Sequence, residues 1–383
     1  MEDPLSGDLT SPATRTSSGL DTAVYDESVG IVDLVEAALT DFFASKRALV
    51  GALGGGYADA VDDLVAFVLR GGKRVRPAFA WTAWLGAGGD RRGPDAPAVL
   101  RACASLELIQ ACALIHDDII DASVTRRGFP TVHVGFAERH RAQAWSGSAS
   151  RFGESAAILL GDLALCWADD MMRDAGLDAP VSAGISPVWS AMRTEVLGGQ
   201  LLDIEGEAGR DESVEAAMRV NRYKTAAYTV ERPLQLGAVM AGAPDGLVES
   251  YRSFGTDIGV AFQLRDDLLG VFGDPAVTGK PSGDDIREGK RTVLMAVGMQ
   301  RADQSRPDLA QLLRTTLGSE DLDEEQVHTI RTALTDLGAV DDVERRITEL
   351  TERALATLAS SDVESTAASR LRDMAVAATQ RTY

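Results

Sequence analysis

Residues 106–128 read LELIQACALIHDDIIDASVTRRG. The first half is apolar at helical spacing, and then Asp117, Asp118 and Asp121 fall within five positions, just ahead of Arg126 and Arg127. On a helix Asp117 and Asp121 share one face, with Cβ atoms about 5–6 Å apart. Asp118 is rotated from them by about 100°. Two unit charges about 6 Å apart repel by roughly 3 kcal/mol at an effective dielectric of 20, so something must offset that cost. A solvated helix end is a poor explanation, because the helix leading in is so apolar. Hard divalent cations want oxygen ligands, and Mg²⁺ takes one or two carboxylates and completes its shell with water and substrate phosphates. The spacing therefore points to Mg²⁺ held against a diphosphate.

Outward from this stretch the pattern is helical from about residue 28 almost to the end. Ile31, Leu34, Val35, Ala38, Leu39 and Phe42 make one apolar stripe, and no period-two alternation is sustained. Most prolines fall where helices would start or loops would run, Pro187 among them. No Pro/Gly/Ser-rich linker divides the chain and no repeat of 20–50 residues is visible. The reading is all-α, a single large helical domain over residues 21–383. Residues 1–20, rich in Ser, Thr, Pro and Gly, are expected to be disordered. Pro233 lies inside a helical stretch, NRYKTAAYTVERPLQLGAVMAG, and predicts a kink that re-aims Lys224 and Thr225 into a cavity.

The 383 residues carry a net charge of −20, which disfavours nucleic acid and anionic membrane surfaces as partners. No uncharged apolar run reaches 18 residues, so no transmembrane segment is expected. The polar, acidic N-terminus is unlike a signal peptide. Cys103, Cys112 and Cys166 are far apart without a CxxC, which suits a reduced cytoplasmic protein. Four scattered histidines argue against zinc. The pairs Asp62–Asp63, Asp169–Asp170 and Asp341–Asp342 lack a matching basic motif and read as solvated faces.

A second acidic site stands in VAFQLRDDLLGVFGD, where Gln263, Asp266 and Asp267 share a face within an apolar run. The charged, Gly/Pro-containing loop after it holds Lys280, Asp284, Asp285, Lys290 and Arg291 and would close over phosphates. Its Gly-Lys is no Walker loop, since Pro281 follows. RGGKRVRP, residues 70–77, packs four cations into a turn that opens a helix, an anion site by charge and by helix dipole.

Taken together these motifs resemble the trans-type isoprenyl diphosphate synthases (polyprenyl synthases), most of all bacterial geranylgeranyl diphosphate synthases. The resemblance rests on DDxxD at residues 117–121 with its following arginine pair, GGKRxRP at 71–77, Lys224–Thr225, and Phe262–Gln263 leading to Asp266–Asp267. It covers about residues 28–383. It implies an enzyme that condenses isopentenyl diphosphate head-to-tail with allylic diphosphates (dimethylallyl, geranyl, farnesyl), using Mg²⁺, three ions per active site, in a homodimer. Asp117, Asp121 and Asp266 would bind the metal and, with Lys224, carry catalysis. Arg126, Lys224, Thr225, Gln263, Lys280 and Lys290 would hold the allylic diphosphate. Lys73, Arg76, Gln110 and Arg127 would hold isopentenyl diphosphate, with Gln110 where many members have histidine. No side chain is an obvious general base, and the family view gives the proton to the departing diphosphate. Gly270 stands where many members have a third aspartate of the second motif, which excludes a metal role there.

The same resemblance implies a product length. Ala113 and Cys112, one turn behind Asp117, would line the elongation pocket, and both are small. Ile109, a further turn back, would help set its floor with residues of a facing helix that the sequence does not identify. A twenty-carbon geranylgeranyl product is expected, with farnesyl or longer chains as the alternative. A class I terpene cyclase would need no isopentenyl site, and a non-catalytic subunit would be expected to lose first-motif aspartates.

Overall fold

The computed structural model describes residues 23–273, 283–319 and 322–380, so the expectations for residues 1–20 and for Lys280 fall outside the described residues. The first helices are α1 (Ile31–Leu53), α2 (Tyr57–Leu69), α3 (Val75–Gly86), α4 (Ala96–Ala104) and α5 (Leu106–Ile120). A hairpin of β1 (Thr125–Arg126) and β2 (Phe129–Pro130) follows, then α6 (Val132–Ala142), α7 (Ala149–Arg173), α8 (Ala179–Gly209) and α9 (Val214–Val220). Next come a π-helical segment, Asn221–Glu231, then α10 (Arg232–Met240) and α11 (Asp245–Phe272). The remainder is α12 (Asp284–Glu288), α13 (Val293–Ser305), α14 (Pro307–Thr316), α15 (Glu324–Asp336), α16 (Ala339–Ala359) and α17 (Ser365–Thr379). The all-α expectation holds.

The opening stretch forms the central helix. Leu106, Leu108, Ile109, Ala111, Cys112 and Ile115 of α5 are buried. At its start Ser105 Oγ donates to the Ala102 carbonyl at 2.7 Å, a local bond that competes with the helical ladder where α4 gives way to α5. Residues 96–120 are long and apolar enough to cross a membrane by length and composition, but 78% of the apolar 18-residue window within them is buried inside the protein. It is a core element. Helix α7 packs on α5 and α10 on α3, the π segment lies against both α8 and α11, and α13 to α16 build a second apolar core behind α11.

Three local expectations are corrected. Pro187 does not start a helix; it lies inside α8. It is exposed, as is Ala183, whose carbonyl loses its partner to the proline ring and turns to water instead. Arg126 and Arg127 are not on a continuation of α5. They belong to the hairpin, whose two-residue turn has φ of 53° at Arg127 and 78° at Gly128, the positive pair that tight hairpins require. The paired aspartates are more than solvated faces. Asp342 gathers Arg301, Arg345 and Arg346 and is only 10% exposed, Asp170 takes Lys46 at 2.7 Å, and Asp63 takes Arg139.

The disturbance expected at Pro233 takes the form of a widened helix upstream of it. The π segment ends one residue before α10, in which Pro233 is the second residue. Proline cannot donate back along the helix and crowds the preceding turn, and wider turns relieve both problems. Glycines let neighbouring backbones close on this segment. A Cβ at Gly199 of α8 would lie 2.2 Å from the Lys224 nitrogen, and one at Gly259 of α11 would lie 2.7 Å from Ala226 Cα. Lys224 is thus set by backbone-to-backbone packing from two sides. Gly199→Ala is expected to destabilise the fold by about 1–3 kcal/mol, since backbone must move to admit it. Denaturant unfolding measures this, and an unchanged midpoint would contradict the packing.

Candidate active site

A cavity of about 1070 Å³ opens between α3, α5, α8, the π segment and α11. Its mouth carries Asp117, Lys224, Asp266 and Lys290, and its deeper wall carries Ile109, Cys112, Ala113 and Leu165. Side chains expected from the two acidic motifs and the basic clusters therefore meet at one cavity, except Asp121, which does not line it but lies 3.5 Å from Lys290, which does.

On the first wall α5 ends at Ile120, and Asp121 is its C-cap residue. Asp118, turned away from the cavity as its phase requires, is buried and receives Arg126 Nε at 2.8 Å. Arg126 also reaches Asp117 Oδ2 at 3.5 Å, so the hairpin is fastened to the helix it follows. Burial pushes the Asp117 carboxyl up, but Lys224, Lys290 and Arg126 outweigh it and hold it below the usual range. Asp121 goes the other way, to about 6, through burial and the charge of Asp117.

Two ammonium groups stand between these acids and their neighbours. Lys224 Nζ lies 2.6 Å from Asp203 Oδ2 and 3.1 Å from Asp117 Oδ1. Lys290 Nζ lies 2.6 Å from Glu288, 3.5 Å from Asp121 and 3.6 Å from Asp285. Burial would lower both ammonium groups, yet the surrounding carboxylates raise them above the usual lysine value. Glu207, one turn beyond Asp203 on α8, is pushed up to about 7 by burial and by Asp203 and Asp121. Asp203 and Glu207 escaped the sequence reading. The signal was present in VLGGQLLDIEGE, where an aspartate again interrupts an apolar run.

On the second wall Asp267 is fully enclosed and receives Gln263 Nε2 at 2.8 Å and Asn221 Nδ2 at 3.2 Å. Burial, opposed by these amides and helped by Asp285 and Asp266, lifts its carboxyl to about 7. Asp266 lines the cavity beside it. Gln263, expected at the diphosphate, here orients Asp267. Gly270 has a specific reason to be glycine: a Cβ there would lie 1.8 Å from Asp285 Oδ2. The carboxylate of Asp285, delivered by α12, fills the space beside the residue that lacks one.

The basic turn before α3 divides its cations. Arg74, at φ of 46°, is buried and bonded to Glu107 at 2.7 Å, with Glu36 at 3.3 Å. Arg76, expected to face a substrate, is mostly buried: it donates to Thr229 Oγ1 at 2.8 Å and stacks 4.0 Å over the Tyr228 ring. Lys73 is exposed, and Arg127 donates to the Gly71 carbonyl at 3.0 Å. Lys73, Gln110, Arg127 and Thr225 all line the cavity.

Asp117 Oδ1 is buried and takes no hydrogen bond, despite the ammonium beside it. No three His, Cys, Asp or Glu side chains among the described residues form a ready-made metal cage. Oxygen donors split between two walls fit Mg²⁺ that completes its shell with water and phosphate. Asp117 and Asp121 could hold it from one side and Asp266 from the other.

The family model described as Polyprenyl synthetase matches residues 59–334. The crystal structure of geranylgeranyl pyrophosphate synthase from Corynebacterium glutamicum, complexed with isoprenyl diphosphate and magnesium, is 50% identical with a TM-score of 0.89. That match covers 92% of this chain and 99% of that one. Geranylfarnesyl diphosphate synthase of Aeropyrum pernix is 33% identical over 287 residues, 74% of this chain and 82% of that protein. A farnesyl diphosphate synthase of Mycobacterium tuberculosis is 31% identical over 260 residues, 68% of this chain and 66% of that protein.

The pairing of Gly270 with Asp285 is open to test. Gly270→Asp restores the acid that related motifs carry, but it forces two carboxylates into one place and displaces Asp285 from Lys290. Turnover is expected to fall about tenfold or more. Steady-state assay measures it, and activity at or above that of the parent would contradict the arrangement.

Proposed function

The chain belongs to the polyprenyl synthetase family of prenyl transferases, which join isopentenyl and allylic diphosphates with Mg²⁺, and from that premise we propose that its product is geranylgeranyl diphosphate. One observation carries the reading of the site: two lysine ammonium groups bridge carboxylates at the mouth of a largely apolar cavity. Mg²⁺, three ions by the family pattern, would be held by Asp117, Asp121 and Asp266 and would neutralise charge on a departing diphosphate. Lys224 and Lys290, with Thr225 and Arg126, then face the allylic diphosphate and stabilise the same developing charge. Lys73, Arg127 and Gln110 hold isopentenyl diphosphate, with Arg76 stacked behind them on Tyr228. The allylic carbon–oxygen bond breaks, the isopentenyl double bond attacks the cation, and a proton leaves to the released diphosphate. The apolar wall of α5 keeps water from the cation. The basic turn beside the cavity favours this reading over a terpene cyclase, and the complete first motif favours it over a non-catalytic subunit.

The twenty-carbon product follows from the wall. Ala113 and Cys112 are small and line the cavity one turn behind Asp117, leaving it open to Ile109 and beyond. The relatives named above differ in product, so the length has to come from this chain's own pocket.

A homodimer is proposed on the strength of exposed leucines and isoleucines on α7 and α8. Leu159 is 68% exposed and Leu201 55%, with Ile158 and Ile204 beside them. Such a stripe on two long helices suits a second copy of the chain. Three free cysteines, two of them buried, suit a cytoplasmic location.

Incubation of the purified protein with Mg²⁺, isopentenyl diphosphate and each allylic starter is expected to give geranylgeranyl diphosphate, and a farnesyl end product would refute the length. Asp117→Ala and Asp266→Ala are each expected to cut turnover by about a hundredfold to a thousandfold while the far-ultraviolet spectrum stays the same. Near-parental rates in either would sink the metal assignment. Sedimentation is expected to give twice the chain mass, and half that mass for Leu159→Glu/Leu201→Glu; a monomeric parent would refute the dimer.

A further inference from the structure

The cavity runs along one face of α8. Arg193, Val196, Leu197, Gln200 and Asp203 all line it, at helical spacings of three and four. Asp203 marks the metal end, since it shares Lys224 with Asp117. Arg193 lies ten residues earlier, about 15 Å down the helix or just under three turns. Between them the α8 wall is Gln200, Leu197 and Val196.

Helix α7 reaches the same depth. It runs antiparallel to α5: His116 meets the Ile158 carbonyl at 3.2 Å and Asp162 at 3.7 Å, and one turn back Cys112 feels the charges of Asp162 and Cys166. Leu165 lines the cavity at about this level, and Asp169 is one turn farther. Asp169 is ion-paired with Arg193 and receives Trp189 Nε1 at 2.6 Å. The guanidinium of Arg193 lies 5.8 Å from the Trp189 ring centre. A fixed cluster of charge thus stands at the end of a wall that is otherwise mostly apolar.

We propose that the Arg193–Asp169 pair, braced by Trp189, is the floor of the elongation pocket and sets the product length. This rests on the reading of the protein as a prenyl transferase with a twenty-carbon product. A growing chain end meets leucine, valine, cysteine and alanine until it reaches Arg193. To go farther it must displace the Arg193 side chain, which lines the cavity and is held by Asp169, and bring hydrocarbon beside a half-exposed ion pair. One helical turn, about 5.4 Å, is close to the length of one five-carbon unit, so just under three turns accept about three units. Farnesyl diphosphate is then the longest chain that enters as allylic substrate, and its condensation yields twenty carbons. The product would need a fourth unit of depth to react again. The floor lies on the facing helices, α7 and α8, and Ile109 of α5 is side wall.

The test compares the parent with Arg193→Ala and Arg193→Met, the latter keeping the stem packed on Trp189 while removing the charge. Product length is read by chromatography, and kcat/KM is measured with geranylgeranyl and farnesyl diphosphates as allylic substrates. In both variants the ratio of geranylgeranyl to farnesyl kcat/KM is expected to rise about tenfold or more, with products at least one unit longer than the parent's. Arg193→Lys, which keeps a cation for Asp169, is expected to retain the parental length. Adding Ala113→Phe to Arg193→Ala is expected to return the profile of Ala113→Phe alone, because the chain is then stopped above the floor. An unchanged ratio and product in an active Arg193 variant would overturn the proposal. So would loss of all turnover in both, since a floor predicts only added depth. If the parent's product is not twenty carbons, the length assignment fails, and lengthening relative to the parent still decides the floor.

Discussion

Carboxylates that repel one another across a cavity mouth are held in place here by two half-buried ammonium groups. Lys224 joins Asp203 of α8 to Asp117 of α5, and Lys290 joins Asp121 to Asp285 and Glu288 of α12. Charge pairs of this kind are costly to bury unless each partner is matched, and removal of either side leaves an uncompensated charge. Much of the surrounding architecture serves that matching. The π segment presents Lys224, glycines at 199 and 259 let two helices press on its backbone, and the hairpin ties Asp118 and Asp117 through Arg126.

The same constraint links structure to chemistry. The lysines occupy, in this structure, the neighbourhood that divalent cations would take beside the same acids. Were Mg²⁺ to take these carboxylates, the ammonium groups would be free to meet a diphosphate, and charge balance would be kept in both states. Burial first, and the neighbouring acids after it, raise Asp121 to about 6 and Glu207 to about 7, and an incoming cation would relieve the part that comes from the acids. Behind the mouth, the wall of Ile109, Cys112, Ala113 and Leu165 gives depth for a prenyl chain.

The central helix, the helical class and the two acidic walls were legible because each is written locally, as period or as spacing. The apolar run before Asp117 could only be a buried helix, and the phase of Asp118 foretold its turning away from Asp117 and Asp121. What stayed hidden depends on residues far apart in the chain. Nothing in the spacing says that Asp285 fills the room left by Gly270, that Arg76 stacks on Tyr228, or that Asp169 pairs with Arg193. Pro233 announced a disturbance, yet whether the helix breaks or widens depends on the close approach of α8 and α11. The hairpin escaped notice because four paired residues are too few to show an alternation.

The claim that the lysines are occupied until metal arrives is tested most directly by calorimetric titration of the metal-free protein with inorganic diphosphate. The titration is run in chelator and again with saturating Mg²⁺, corrected for association of the two in solution. The account predicts coupling, with diphosphate affinity rising by about a hundredfold when Mg²⁺ is present. Equal affinity in both conditions would mean that the ammonium groups are free from the outset, and would contradict it.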